Sequence, residues 1–258
     1  MYINFTIAGR LGNAIFRYLA VSIMCLYYDG TYVVNESQEQ NFDDSLFLSI
    51  ISDIMNNQKL ILNEKGVNMI GYYQHDTIYK INKSLIIDFI NNNPEHFVLT
   101  DGINSGDSNY EKFYMVDIVN TPITFNKKYK NVLHIRLEDF VTHNLHLDVN
   151  RIIKLLDKNI VTESLCIVCK KPITDFENTY IQQVVDYIGD KMTVVLEHND
   201  TITDFYIMKE SEILICSKST LSWSAAFFSN KITKCYLPDY ETANNSTCKY
   251  PIDNTELY

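Results

Sequence analysis

From Asn131 to Pro238, short runs of β-branched and apolar residues alternate with longer runs of helical period, and the connections between them are brief. NVLHIRL, SLCIVCKK, KMTVVLE, EILICSK and KITKCYLP predict five strands, and LDVNRIIKLLDKN, DFENTYIQQVVDYI, TITDFYIMKES and LSWSAAFFS predict the helices between them. Strands that are apolar on both faces and separated by helices are buried by a parallel sheet covered on each side. The expectation for this half is therefore a Rossmann-like α/β domain.

The first half is less regular. MYINFTI predicts a strand, Asn13 the N-cap of a helix running to about Tyr28, and TYVVN a short strand. DSLFLSIISDIMNN predicts a helix whose capping end is FDDS, and HDTIYKINKSLIIDFINNN predicts another that stops before Pro94. The basic segment NKKYK marks a division into residues 1–128, an N-terminal α/β domain, and residues 129–258, the Rossmann-like domain. In such pairs a ligand is expected at the carboxyl ends of the strands, in the cleft between the domains.

A chain of 258 residues with 46% hydrophobic and 12% aromatic content is long enough for a sizeable core. Its formal charge of -10 argues against a nucleic-acid partner held by a broad basic surface. The N-terminus lacks the basic-then-apolar pattern of a signal peptide, and no apolar run is expected to reach membrane-spanning length, so a soluble cytoplasmic protein is expected. The six cysteines include Cys166 and Cys169 in a C-x-x-C, but no second pair stands at zinc-site spacing. Core thiols in a reducing compartment fit better. No metal is expected, because no D-x-D stands where a metal–diphosphate clamp would be needed.

Three segments carry candidate chemistry. In AGRLGN, Gly9 and Gly12 lie between strand and helix, where glycine either makes a tight turn or opens backbone N–H groups to a ligand. In HIRLEDF, His134 and Arg136 alternate and so share one side of the strand end. A guanidinium there can hold a diphosphate bidentately, or it can form a surface ion pair with Glu138 or Asp139. In CSKSTLSW, Ser219, Thr220 and Ser222 cluster at a strand-to-helix turn, where they either cradle phosphate or cap the helix.

Five segments, in this order, are GRLGNAIFRYLA, GYYQ (71–74), HIRLEDF, TDFYIMKES and SKSTLSWSAAF. Together they resemble the α-1,2-fucosyltransferases of glycosyltransferase family 11, which are GT-B enzymes that use GDP-fucose. That family has a GGLGNQ-F-YA start, a GY-Q segment, an H-x-R-R-G-D-Y motif, a D-L-Y-L-M helix and a NSSFSWWGAW segment. GRLGN is also similar to the opening of protein O-fucosyltransferases. The resemblance runs from residue 8 to about residue 238.

It implies two Rossmann-like domains, the first on the acceptor side and the second binding the nucleotide sugar. It also implies inverting transfer of fucose from GDP-fucose to a glycan hydroxyl, with no metal or other cofactor. Arg136 matches the arginine that binds the diphosphate and stabilises departing GDP, and His134 matches the motif histidine near the nucleotide. Asp204, Ser219, Thr220 and Ser222 match donor-binding positions, and Gly12 and Asn13 match the loop facing donor and acceptor. Asp139, Glu138, and the pair His75 and Asp76 are candidates for a general base.

The chain departs from the family at four places. Leu137 stands for the second arginine, Glu138 for the glycine, Ala14 for the glutamine and Ser224 for the second tryptophan. Two alternatives follow: a related transferase using another activated deoxyhexose such as rhamnose, or an inactive nucleotide- or glycan-binding relative.

Overall fold

A computed structural model describes residues 2–5, 10–28, 31–34, 41–42, 47, 49–50, 52, 66–69, 71, 73–94, 98–100, 112–158, 161, 163–239 and 249–258. Gly9, residues 43–45 of the FDDS segment and Cys248 lie outside the described residues, and Phe42 is in a strand. The chain divides into two compact units, Met1–Pro122 with Ser246–Cys248, and Ile123–Asn245 with Lys249–Tyr258.

In the first unit, β1 (Tyr2–Phe5), β2 (Thr31–Val34), β3 (Asn41–Phe42) and β4 (Gly66–Met69) form a parallel sheet in the order β2-β1-β4-β3. Between β1 and β2 runs α1 (Leu11–Tyr28), which is buried almost throughout its first four turns, including Arg17 and Ser22. Ser22 turns its hydroxyl back onto the Tyr18 carbonyl at 2.8 Å, which satisfies it inside the helix.

The α1 helix corrects two expectations. Its first bond runs from Ala14 N to the Arg10 carbonyl (3.1 Å), so the helix starts ahead of Asn13, and Gly12 and Asn13 lie within its first turn. Asn13 is not the N-cap. By length and its mean hydropathy of 1.2, α1 is also apolar enough to cross a membrane, which the sequence reading did not anticipate. Of that stretch 78% is buried inside the fold, as in the core helix of a globular unit.

The helix expected to stop before Pro94 appears as α2 (Asp76–Ile81) and α3 (Lys83–Asn92), interrupted at Asn82. The buried Asn82 side chain donates to the Ile78 carbonyl at 2.9 Å and accepts from the Tyr27 hydroxyl at 3.0 Å. An asparagine that bonds to nearby backbone competes with the regular helical pattern, which is why the break falls there. A hairpin of β5 (Val98–Thr100) and β6 (Lys112–Tyr114) is followed by α4 (Met115–Val119), and Phe47, Ser49, Ile50 and Ser52 are helical within the DSLFLSIISDIMNN segment expected to form a helix.

The second unit follows the alternation read from its sequence. Its strands are β7 (Asn131–His134), β8 (Ser164–Val168), β9 (Thr193–Glu197), β10 (Ile213–Ile215) and β11 (Lys234–Leu237). A further strand, β12 (Thr255–Leu257), extends the five expected strands to a six-stranded sheet. The helices are α5 (Asp139–Thr142), α6 (Val149–Leu156), α7 (Asp175–Gly189), α8 (Thr201–Lys209) and α9 (Thr220–Phe228). All pairings are parallel and the order is β12-β11-β10-β7-β8-β9. Numbered from β7, this is the doubly wound order 3-2-1-4-5-6, compatible with a Rossmann-like fold.

Burial follows the strand period. Leu133, Ile135 and Leu137 join Ile152, Leu155, Tyr180, Ile181 and Val184 of α6 and α7 in one core. On the alternate positions Val132, Cys166 and Leu214 are also fully enclosed, and α8 lies against β7 and β8 while packing on α9. Cys25, Cys166, Cys169, Cys216 and Cys235 are free and buried, and burial pushes the Cys166 and Cys169 thiols up to about 12. The C-x-x-C is thus a pair of inert core thiols.

Candidate functional site

The chain leaves β7 in one direction through β8 and β9 and returns to the other side of β7 through β10, so successive connections diverge between β7 and β10. In open parallel sheets the crevice for a ligand lies at the carboxyl ends of the strands at such a switch point. His134 is the last residue of β7 and Ser217 lies just past the end of β10. The Ser217 Oγ and His134 Nδ1 are 2.9 Å apart, and both residues are buried. Burial, reinforced by the charge of Arg136, pushes the imidazole down to about 3. A ring held neutral in this way orients a partner by hydrogen bonding; it is too weak a base to take a proton from an acceptor hydroxyl.

Three residues beyond β7 the chain turns sharply. The Phe140 N–H donates to the Leu137 carbonyl at 2.8 Å, and Glu138 adopts φ 46° and ψ -122°. These angles belong to the first central position of a type II′ turn, which normally requires glycine. Glu138, at the position where the resembling H-x-R-R-G-D-Y motif has glycine, adopts a conformation that favours glycine.

Leu137, which stands for the motif's second arginine, is buried in the core. Arg136 projects from the other side of the chain. Its Nη2 meets Asp139 Oδ1 at 2.7 Å, its Nη1 meets Glu138 Oε2 at 3.3 Å, and the Phe140 ring lies 5.3 Å from its Cζ. Its Nε is buried with no hydrogen-bond partner among the described residues. The ion pair with Glu138 and Asp139, one of the two expectations for Arg136, is therefore formed, and a diphosphate would have to displace those carboxylates.

A residue outside the sequence-based candidates fixes this turn. Glu177, in the first turn of α7, is buried and makes a capping box with Thr174. Its Oε2 accepts from Ile173 N (2.8 Å) and Thr174 N (3.1 Å), while Oε1 accepts from Glu138 N (3.0 Å). Burial alone would raise its carboxyl, but these backbone N–H groups outweigh that and hold it below the ordinary value.

The serine segment opens α9. Ser219 is its N-cap, accepting from Leu221 N at 3.3 Å, and Ser222 turns its hydroxyl back onto the Ser219 carbonyl at 3.1 Å. Thr220 is the first helical residue and its carbonyl accepts from Ser224 Oγ at 2.8 Å. Capping, one of the two expectations for this segment, is present. A ligand here would meet the first-turn amides before the Ser222 hydroxyl.

Asp204 sits elsewhere, in the first turn of α8 beyond β9, where it accepts from Asn199 Nδ2 at 3.0 Å. Burial raises its carboxyl from 3.8 to about 7, against the lowering effect of the Asn199 bond. Asn199 also donates to Glu197 at 3.0 Å, and Glu197 accepts from Lys127 at 2.8 Å and from the Tyr129 hydroxyl. Asp204 thus belongs to a satisfied polar network, distinct from the His134–Ser217 pair.

In the first unit, Asn13 Oδ1 accepts from Gln74 Nε2 at 3.4 Å, so the GRLGN and GYYQ segments meet. His75 and Asp76 follow, both buried, with His75 stacked on Phe47 at 5.9 Å. Among the described residues, no group of three His, Cys, Asp or Glu could hold a metal ion.

No protein-family model and no curated protein matches this chain.

Of the candidates, Arg136 and Asp139 pair just past the end of β7, and His134, the last residue of that strand, bonds Ser217 in the loop that leads to Ser219 and Thr220. Ser217 and Glu177 were missed. Both carried a signal: Ser217 lies just past a strand end, as Arg136 does, and Thr174-x-x-Glu177 has capping-box spacing.

Proposed function

We propose that this chain is an inverting, GT-B-type glycosyltransferase that moves L-fucose from GDP-fucose to a hydroxyl of a glycan acceptor in the cytoplasm. The observation that carries the reading is the 2.9 Å bond between Ser217 and His134. It joins HIRLEDF to the CSKSTLSW loop at the crevice end of a doubly wound sheet, where nucleotides bind such folds. Two further relationships support it. Glu138 keeps a glycine conformation where the resembling motif has glycine, and Asn13 meets Gln74 from a second matching segment.

In this reading the second unit holds the donor. Arg136 exchanges Asp139 and Glu138 for the diphosphate and stabilises the charge that grows on GDP as the anomeric carbon–oxygen bond breaks. The amides at the start of α9, with Ser219, Thr220 and Ser222, receive the remaining phosphate oxygens, and neutral His134 fixes the nucleotide by hydrogen bonding. Asp204 contributes to the donor side from the end of β9. Gly12, as a donor-binding position, and Asn13, as a catalytic one, come from the first unit. The acceptor hydroxyl attacks opposite the leaving GDP. Asp139, once released from Arg136, becomes available to take its proton.

A second reading, an inactive binding relative, is favoured by one observation: both carboxylates of its own turn engage Arg136. Titrating GDP, GDP-fucose and UDP into the protein, then assaying fucose transfer to a panel of glycans with and without EDTA, separates the two. Transfer from GDP-fucose supports the enzyme. GDP binding with neither transfer nor donor hydrolysis selects the binding relative, and a preference for UDP or a requirement for manganese overturns the donor class and the metal-free chemistry.

A further inference from the structure

Glu177 does more than cap its helix. A capping box needs one side-chain oxygen for the N-terminal backbone, and Oε2 performs that task by accepting from Ile173 N and Thr174 N. The other oxygen crosses to a different loop and accepts from the N–H of Glu138, 39 residues away in sequence. Glu138 is one of the described non-glycine residues with positive φ, and at φ 46° and ψ -122° its side chain opposes the turn it occupies. The turn therefore needs an external hold, and the buried carboxylate supplies it.

We infer that Glu177 is a positioning residue for Arg136: its Oε1 clamps the Leu137–Phe140 turn in a glycine-type conformation, so that the guanidinium one residue before the turn is presented to the nucleotide diphosphate. The inference rests on the reading of Arg136 as the diphosphate ligand. The clamp takes the place of the conformational freedom that a glycine would provide at position 138. It also couples the loop after β8 to the loop after β7, since one carboxylate binds backbone from both.

Glu177→Gln isolates the clamp. The amide oxygen can still accept from Ile173 and Thr174, preserving the cap, while the amide NH₂ meets the Glu138 N–H donor to donor and breaks only the bond between the loops. Glu138→Gly supplies a turn that forms without a clamp. Two quantities are measured for wild type, Glu177→Gln, Glu138→Gly and the double variant: the Kd for GDP by calorimetry, and hydrogen exchange of the Phe140 amide, whose bond to the Leu137 carbonyl closes the turn. Glu177→Gln is expected to weaken GDP binding about tenfold and to speed exchange in the turn by a similar factor, the scale of one lost bond to a charged acceptor.

In the Glu138→Gly background the same change is expected to leave both quantities unaltered, as a double-mutant cycle requires when the two residues act through one turn. Glu177→Gln binding GDP as tightly as wild type, or an equal loss in both backgrounds, overturns the inference. If wild type binds no GDP, the reading of Arg136 falls. The exchange arm still decides the clamp: unchanged exchange overturns it, and faster exchange cured by glycine supports it.

Discussion

Ser217 and His134 are joined by a 2.9 Å hydrogen bond between Oγ and Nδ1, although 83 residues separate them. The bond ties the ends of β10 and β7, the two strands between which the sheet reverses its winding. Its partners are buried, so each depends on the other for satisfaction.

Removing the hydroxyl should therefore be felt. Ser217→Ala leaves the buried His134 Nδ1 without its partner, and a stability loss of about 1–3 kcal/mol is expected. Chemical denaturation of the two proteins checks this. An unchanged midpoint would mean that water replaces the hydroxyl without cost.

The His134 ring also sets a pH dependence. Its folded value of about 3 lies below the ordinary 6.5, so the unfolded chain binds a proton that the folded chain refuses. The stability from a neutral His134 is complete above about pH 6.5 and is lost as pH falls from there toward 3. His134→Gln should flatten that acid limb relative to wild type in melting curves taken across the range. Parallel curves would contradict it.

Asp204 works in the opposite direction. Its folded value of about 7 exceeds the ordinary 3.8, so between these values the folded protein holds a proton that the unfolded chain has released, and stability falls as pH rises through the window. Asp204→Asn keeps an acceptor for Asn199 and removes the buried charge. It is expected to stabilise the protein by more than about 1 kcal/mol at pH 8 and to have little effect near pH 4. Equal effects at both pH values would place the carboxylate in a wetter site than its burial indicates.

Glu138→Gly relieves a backbone conformation that costs a non-glycine residue about 1–3 kcal/mol, partly offset by about 0.5–1 kcal/mol of glycine flexibility. The melting temperature should rise by about 2–4 °C for a net gain of about 1 kcal/mol. A fall in melting temperature would show that the Glu138 side chain, through its contact with Arg136, holds the turn more than its backbone strains it.

The second unit was legible because period and residue type agree along it: β-branched runs end where capping residues begin, as at Asp148, Thr174, Asp200 and Ser219. β12 was not, since three residues carry no period. His134 and Arg136 were found by alternation at a strand end. Glu177 was visible only as a cap, because the partner of its second oxygen is set by how α7 lies beside the β7 loop, a tertiary fact absent from local pattern. The start of α1 differs because Asn13 is a good cap in isolation, while the helix begins on Leu11, which is buried, and Asn13 lies inside its first turn. The break at Asn82 likewise depends on Tyr27, 55 residues away.

Arg136 bears the central claim, that the crevice end of the second unit takes a nucleoside diphosphate through a guanidinium otherwise held by Asp139 and Glu138. Calorimetric titration of GDP into wild type, Arg136→Lys and Arg136→Ala tests it directly. Wild type should bind, and both variants should lose about tenfold or more in affinity, because lysine keeps the charge without the planar fork and alanine removes both. GDP binding of equal strength in wild type and Arg136→Ala would contradict the account and leave Arg136 as an ion pair of its own turn.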